Sequence, residues 1–214
     1  MRIIICPDYN AMSRQAANVI AAQVIMKPDC VLGLATGSTP VGAYQQLAKW
    51  QQQGDLTFKD VRTVNLDEYR GLPGTHDQSY RYFMNTNLFD HINIDKANTY
   101  VAKGMGDAEA NAAELEAKVR EGGVADLQLL GIGNNGHIAF NEASDHLISV
   151  AHIEKLTEST INANARFFEK KEDVPTTAIT MGMGDIMAAK CVVLIATGLA
   201  KTDAIKGLVM DNVI

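Results

Sequence analysis

The strongest constraint on the fold of this chain is a rhythm. Short β-branched runs alternate with helix-period segments from end to end. "RIIIC" (2–6) predicts a strand, "MSRQAANVIAAQVI" (12–25) a helix, "CVLGLA" (30–35) a strand, "VGAYQQLAKWQQQ" (41–53) a helix and "VRTVNL" (61–66) a third strand. A polar loop then leads to a helix over "SYRYFMNTNLFDHI" (79–92), a short strand "NTYV" (98–101) and a helix "DAEANAAELEAKVREGG" (107–123) closed by Gly122-Gly123. "ADLQLLGIG" (125–133) reads as the central apolar strand, with "TTAITMG" (176–182) and "CVVLIAT" (191–197) as later ones. Strands separated by helices are joined in parallel, so the rhythm predicts an α/β fold. We expect one Rossmann-like, doubly wound, mostly parallel sheet with helices on both faces. No repeat or linker divides the 214 residues, and 47% hydrophobic content suffices for one core, so a single domain over 1–214 is expected.

Composition removes several function classes. A net charge of −6 without a Lys/Arg stripe argues against a nucleic-acid partner. No apolar stretch reaches the ~18 residues of a membrane span, and "MRIIICPDYN" lacks the length and cleavage site of a signal peptide, so a cytoplasmic protein is expected. Cys6, Cys30 and Cys191 show neither CxxC nor metal spacing, and read as reduced and mostly buried. No metal constellation and no dinucleotide fingerprint stand in the sequence, so neither a metal nor another cofactor is expected.

In doubly wound folds ligands sit outside the carboxyl ends of the strands. Four polar clusters fall there: "TGSTP", "NLDEY", "GNNGHIAFNE" and "TGLAK". In "LATGSTPVGAY", Thr36, Gly37, Ser38 and Thr39 lead into a helix opening at Pro40. That is a phosphate cradle built from backbone N–H groups and hydroxyls; an N-capped helix with Pro at its first position uses the same residue types. In "VNLDEYRGLP", Asp67 and Glu68 point in different directions from an extended backbone, so one of them faces a pocket and is a candidate base. "GIGNNGHIAFNE" places His137 beyond a glycine-rich turn, with Asn135 and Glu142 able to fix its tautomer. Lys201 opposes a helix dipole in "ATGLAKTDAI", a placement explained by a bound anion, and Arg166 is a second anion contact or an ordinary surface arginine.

Taken in order, "LATGSTPVGAY", "NLDEYRGLP", "SYRYFM", "GIGNNGHIAFNE", "LTESTINANARFF", "AITMGMGDIMAAK" and "ATGLAKTDAI" resemble the glucosamine-6-phosphate deaminase (isomerase) family over the whole chain. The resemblance implies conversion of glucosamine 6-phosphate to fructose 6-phosphate and ammonia. It implies that Asp67 carries the proton between C2 and C1, that His137 opens the sugar ring supported by Asn135 and Glu142, and that Thr36, Gly37, Ser38, Thr39, Arg166 and Lys201 hold the phosphate. A cofactor-free enolisation fits this residue set, and a phosphate grip at one end converts binding energy into positioning at the other.

Three departures from the family pattern carry expectations. Ala143 stands where the family usually has proline, which implies a looser lid beyond Glu142. His152 and Glu154 stand where the larger allosteric members bind an acetylated sugar phosphate through basic residues, so no such activation is expected. The sequence stops at "GLVMDNVI", before the family's usual C-terminal segment. With no interface signature, a monomer is expected. The rival readings are a 6-phosphogluconolactonase, which hydrolyses an ester and has less need of a C2 base, and a sugar-phosphate-sensing module without proton-moving groups.

Overall fold

In the computed structural model, which describes residues 1–121 and 123–210, the alternating rhythm becomes a five-stranded parallel sheet surrounded by helices. Its strands are β1 (Val31–Leu34), β2 (Arg62–Asn65), β4 (Thr99–Tyr100), β5 (Leu127–Leu130) and β8 (Val192–Leu194), ordered β4-β2-β1-β5-β8. The chain builds outward from β1 through β2 to β4, then returns to the other side of β1 with β5. The strand order therefore reverses between β1 and β5, where such sheets open a crevice at their carboxyl ends. The 36–39 turn and the 131–142 loop leave from those two ends.

The helices are α1 (Tyr9–Met26), α2 (Val41–Gln52), α3 (Tyr80–Asn87), α4 (Ala108–Arg120), α5 (Glu158–Asn164), α6 (Met183–Met187) and α7 (Thr202–Met210). Asp8 caps α1 by accepting from the Ala11 N–H at 2.8 Å, which starts the helix earlier than its apolar period indicates. α1 buries Ala16, Ala17, Ile20, Ala21 and Val24 on one stripe, and α2 buries Ala43, Tyr44, Leu47 and Ala48. The small residues let the two helices approach closely. A Cβ on Gly42 would stand 2.4 Å from Ser13 Oγ, so this crossing needs glycine. Leu32, Leu34, Leu129, Phe58 and Phe89 complete a core in which each fully buried side chain contributes roughly 1.5–3 kcal/mol.

Four expectations change. The 176–182 run is not a strand of the parallel sheet. As β7 (Thr177–Thr180) it is the centre of a second, antiparallel sheet between β3 (Asp67–Tyr69) and β6 (His152–Lys155). Ala178 and Ile179 are fully buried, and such a run reads the same in the middle of either sheet. Residues 2–6 form no strand: Ile3, Ile4 and Ile5 are exposed and pair with no described strand, because β-branched sequence makes a strand only where a ladder partner exists. The 79–92 helix splits at Leu88 (φ −143°, ψ −60°), which turns Phe89 into the core and continues as a 3-10 turn. Of the three cysteines only Cys30 is buried; Cys191 is exposed next to the edge strand β8, and Cys6 is half-buried in the unpaired segment. Gly122, half of the glycine pair expected to close α4, lies outside the described residues, as do residues 211–214.

At the amino end of the sheet Asp126 is buried and accepts from Lys27 Nζ (2.7 Å), Lys190 Nζ (2.8 Å) and the Val31 N–H (2.9 Å). Burial alone raises its pKa, but the two lysines and the N–H more than offset this and hold it at about 2. A depressed carboxyl stabilises the fold above its unfolded value, and that contribution is lost as pH falls from about 4 toward 2. Both lysines are solvated, so the network is worth about 1–2 kcal/mol rather than the full linkage value. Asp126→Ala also strands the Val31 N–H, and we expect melting roughly 4–8 °C lower at pH 7, with the gap narrowing but not vanishing as pH falls toward 2 in a thermal denaturation series.

Candidate active site

The turn after β1 is free to bind an anion. Gly37 takes φ +90°, a left-handed conformation that turns the chain toward α2. Pro40 occupies the cap position of α2 itself, and neither Ser38 nor Thr39 spends its hydroxyl capping the helix. The segment is therefore not a helix start capped by those side chains. A residue from another helix closes the helix end instead: Tyr9 Oη accepts from the Gly42 N–H (2.8 Å) and donates to the Ser38 carbonyl (3.1 Å).

Asp67 begins β3, just where the chain leaves the parallel sheet for the antiparallel one. Alternation along β3 sends Asp67 to the cavity and Glu68 the other way, against α3. Asp67 makes no side-chain hydrogen bond among the described residues. Burial, and next the Glu68 charge, push its pKa up to about 8.

The 131–142 loop is wound tightly by the Gly133 N–H donating to the His137 carbonyl (2.8 Å) and the Gly136 N–H donating to the Gly133 carbonyl (3.1 Å), with Gly136 at φ +90°. Ala139, on the cavity wall, sits at φ +54°, a conformation that costs a non-glycine residue roughly 1–2 kcal/mol. His137 faces the cavity. Its Nδ1 is buried without a hydrogen bond and lies 3.8 Å from Glu142 Oε2. Burial lowers the His137 pKa, Glu142 opposes this and Lys201 adds to it, so the ring is held neutral at pH 7. Glu142 is buried behind the ring. Burial raises its pKa, but Thr160 Oγ1, the Thr157 N–H (3.1 Å) and Thr157 Oγ1 (3.1 Å) donate to it and leave it below the ordinary carboxylate value. Asn135 is exposed, and its Nδ2 reaches Glu142 only at 3.5 Å.

These segments converge. Thr36, Gly37, Ser38, Thr39, Asp67, His137, Arg166 and Lys201 line one cavity of about 500 Å³; Asn135 and Glu142 do not line it, Glu142 reaching it only through His137. Arg166 lies over the Phe167 ring, 4.6 Å from its centroid. Burial, then the Arg166 charge, lower the Lys201 pKa. Two cations on one wall repel each other, and an anion between them relieves that repulsion. Sequence reasoning passed over Thr157 and Thr160, although the Thr-x-x-Thr spacing at the head of α5 is a legible cap. It also passed over Tyr80, which stacks on Phe140 (6.0 Å, 6°) at the cavity floor. His152 and Glu154 sit on β6 and pair with each other at 3.2 Å. Among the described residues no three His, Cys, Asp or Glu side chains are grouped as a metal ion requires, and no helix is long and apolar enough to cross a membrane.

The chain as a whole is similar to several known proteins. The family described as glucosamine-6-phosphate isomerases/6-phosphogluconolactonase matches residues 8–213. A glucosamine-6-phosphate deaminase of Lachnoclostridium phytofermentans is 56% identical over 96% of this chain and 88% of its own length. One from Clostridium perfringens is 50% identical over 100% of this chain and 88% of its own. Among solved structures, a monomeric glucosamine-6-phosphate deaminase superposes with a TM-score of 0.97 at 40% identity, covering 100% of this chain and 89% of that one. The 6-phosphogluconolactonase of Leishmania guyanensis gives 0.76 at 22% identity over 99% and 87%, a likeness of fold.

Proposed function

The chain belongs to the family of glucosamine-6-phosphate isomerases and 6-phosphogluconolactonases, and we propose that it works there as a deaminase whose proton transfers run on Asp67 and His137. It converts glucosamine 6-phosphate and water to fructose 6-phosphate and ammonia. The phosphate rests on the N–H groups and hydroxyls of residues 36–39 and between Arg166 and Lys201. A grip this far from the reacting carbons sets the register of the sugar along the cavity.

His137 acts first. A neutral imidazole facing an ionised Glu142 favours the proton on Nδ1, which leaves Nε2 to take the proton of the anomeric hydroxyl and return it to the ring oxygen as the ring opens. Asp67 then removes the proton from C2 of the open aldehyde and delivers it to C1. The double bond migrates as O1 gains a proton and the nitrogen gives one up, which leaves a hydroxyl at C1 and an imine at C2. Water adds there, the C–N bond breaks, and ammonia departs. The protons taken up at each base are returned within the cycle, so the enzyme ends as it began.

The observation that carries this reading is the single cavity shared by the anion grip, Asp67 and His137. Lactone hydrolysis needs no base directed at C2, and a sensing module needs neither group. The deciding experiment offers the protein glucosamine 6-phosphate and, separately, 6-phosphogluconolactone, and follows ammonia and acid release. We expect ammonia from the first and no acid above background from the second. Acid without ammonia would establish the lactonase, and silence in both assays the sensing module.

A further inference from the structure

Glu68 lies beside the proposed base, yet no step above uses it. It is almost fully buried, at 1% exposure. Its Oε1 accepts from the N–H groups of Tyr69 and Tyr80 (2.9 Å each), and its Oε2 accepts from Ser79 Oγ (2.7 Å) and the Arg81 N–H (3.1 Å). Three of those four donors belong to the cap and first turn of α3, where the helix dipole also favours a negative charge. This is more than a cap requires. Ser79 already caps α3 by accepting from the Arg81 N–H at 3.1 Å, so Glu68 duplicates a function that Ser79 performs.

The duplication has a consequence through β3. That strand is three residues long and lies at the edge of its sheet, paired with β7 on one side only. Glu68 ties the middle of the strand to α3 by three bonds. Because side chains alternate, the direction of Glu68 sets the direction of Asp67. The two carboxyls also share one buried environment unequally. Burial raises the pKa of both carboxyls, but four donors oppose it at Glu68 and none does at Asp67 among the described residues, so the negative charge favours Glu68 and the proton the carboxyl facing the cavity.

We propose that Glu68 is a positioning residue for Asp67: its bonds to α3 aim β3, and its retained charge keeps Asp67 basic enough to take a proton from carbon. The inference rests on the reading of Asp67 as the base. The other charged or titratable groups around the pair are accounted for. Tyr69 and Tyr80 face Asp67 with phenols that burial keeps protonated, while His137, Arg166, Lys201 and Asp77 line the cavity. Arg81, a cation that feels the Glu68 charge, turns its guanidinium to Thr99 Oγ1 (2.8 Å) and the Thr99 carbonyl (3.1 Å) rather than to the carboxylate. β7 brings Ala178, Ile179 and Thr180 opposite β3, none of them titratable.

The test compares Glu68→Gln, which removes the charge, with Glu68→Asp, which keeps it on a shorter arm. The readouts are the pH profile of kcat/KM for ammonia release and the carbon-detected NMR titration of the Asp67 carboxyl. In the wild-type protein burial and the Glu68 charge place that titration near pH 8. We expect Glu68→Gln to move the acid limb of the profile and the Asp67 titration down by about one pH unit or more, and to lower kcat about tenfold at pH 8.5. Glu68→Asp should lower kcat while leaving both titrations near the wild-type position. A residue that is only a helix cap would lower stability in both variants and move neither titration, and that result would overturn the proposal. Should Glu68→Gln fail to fold, Glu68→Asp and the wild-type titration decide: an Asp67 carboxyl titrating in the ordinary aspartate range overturns it. Wild-type protein that shows the raised titration but releases no ammonia would refute the deaminase reading and leave the coupling of the two carboxyls standing.

Discussion

Asp67→Asn should release ammonia about 10³-fold more slowly than the wild-type protein, the range expected when a general base is removed, and yet melt at a higher temperature. The two effects have one origin. Asp67 is buried without a hydrogen-bonding partner among the described residues and beside the Glu68 charge, so in the folded protein its pKa stands near 8, whereas in the unfolded chain it returns to the ordinary aspartate value of 3.8. Between those two values folding takes up a proton. Stability therefore falls as pH rises from about 4 to 8, and above 8 the folded protein carries the whole cost of a buried, unpaired charge. Asparagine keeps the shape and has no proton to lose. The gain in melting temperature should thus be small at pH 4.5 and large at pH 8.5, as measured by calorimetry across that range. The catalytic signature is linked: wild-type kcat/KM should rise as pH rises toward about 8, where the carboxyl becomes able to accept a proton. An Asp67→Asn protein that is inactive but no more stable at pH 8.5 would mean that this carboxyl is solvated or paired in solution, and a variant with ordinary activity would remove it from the mechanism.

Much of this site could be read before any coordinates, because its parts lie in short contiguous segments. The 36–39 turn, Asp67 and His137 each follow a strand whose apolar run is plain in the sequence, and a doubly wound sheet brings such ends together whatever the loops do. The small antiparallel sheet was not legible. Its partners Asp67–Tyr69, His152–Lys155 and Thr177–Thr180 are separated by long stretches of chain, and two of them are too short or too polar to show a strand period. Glu68 was visible only as a neighbour of Asp67, since its meaning depends on α3 returning to donate to it. The segment "RIIIC" misled for the opposite reason: its propensity is strong, but pairing is a property of the neighbour as much as of the run. Likewise Ser38 and Thr39 could be told from ordinary helix caps only once Tyr9, from another helix, was seen to close that end.

Gly133→Ala tests the other half of the mechanism without touching a proton-moving group. A Cβ at this position would stand 2.5 Å from His137 Cε1 and Nδ1 and 2.7 Å from Cδ2. The backbone at Gly133 does not occupy the left-handed region, so alanine is not strained there and the conflict lies with the imidazole. The ring must withdraw by about 1 Å to reach ordinary contact, and a displacement of that size at a reacting group costs about 10²-fold in rate. The withdrawal also changes the gap between Nδ1 and Glu142, now 3.8 Å, and with it the hold on the tautomer. We expect kcat/KM for ammonia release to fall about 10²-fold, while the affinity for a non-reactive hexitol 6-phosphate, which reports on the anion grip, stays within about twofold of wild type. The cause is isolated by a double-mutant cycle. In a His137→Ala background no ring remains to be displaced, so adding Gly133→Ala should cost nothing further, and the two substitutions should be far from additive. Additive losses would show that the methyl group acts on the loop or the substrate rather than through the imidazole, and His137 would lose its place as the group whose position governs ring opening.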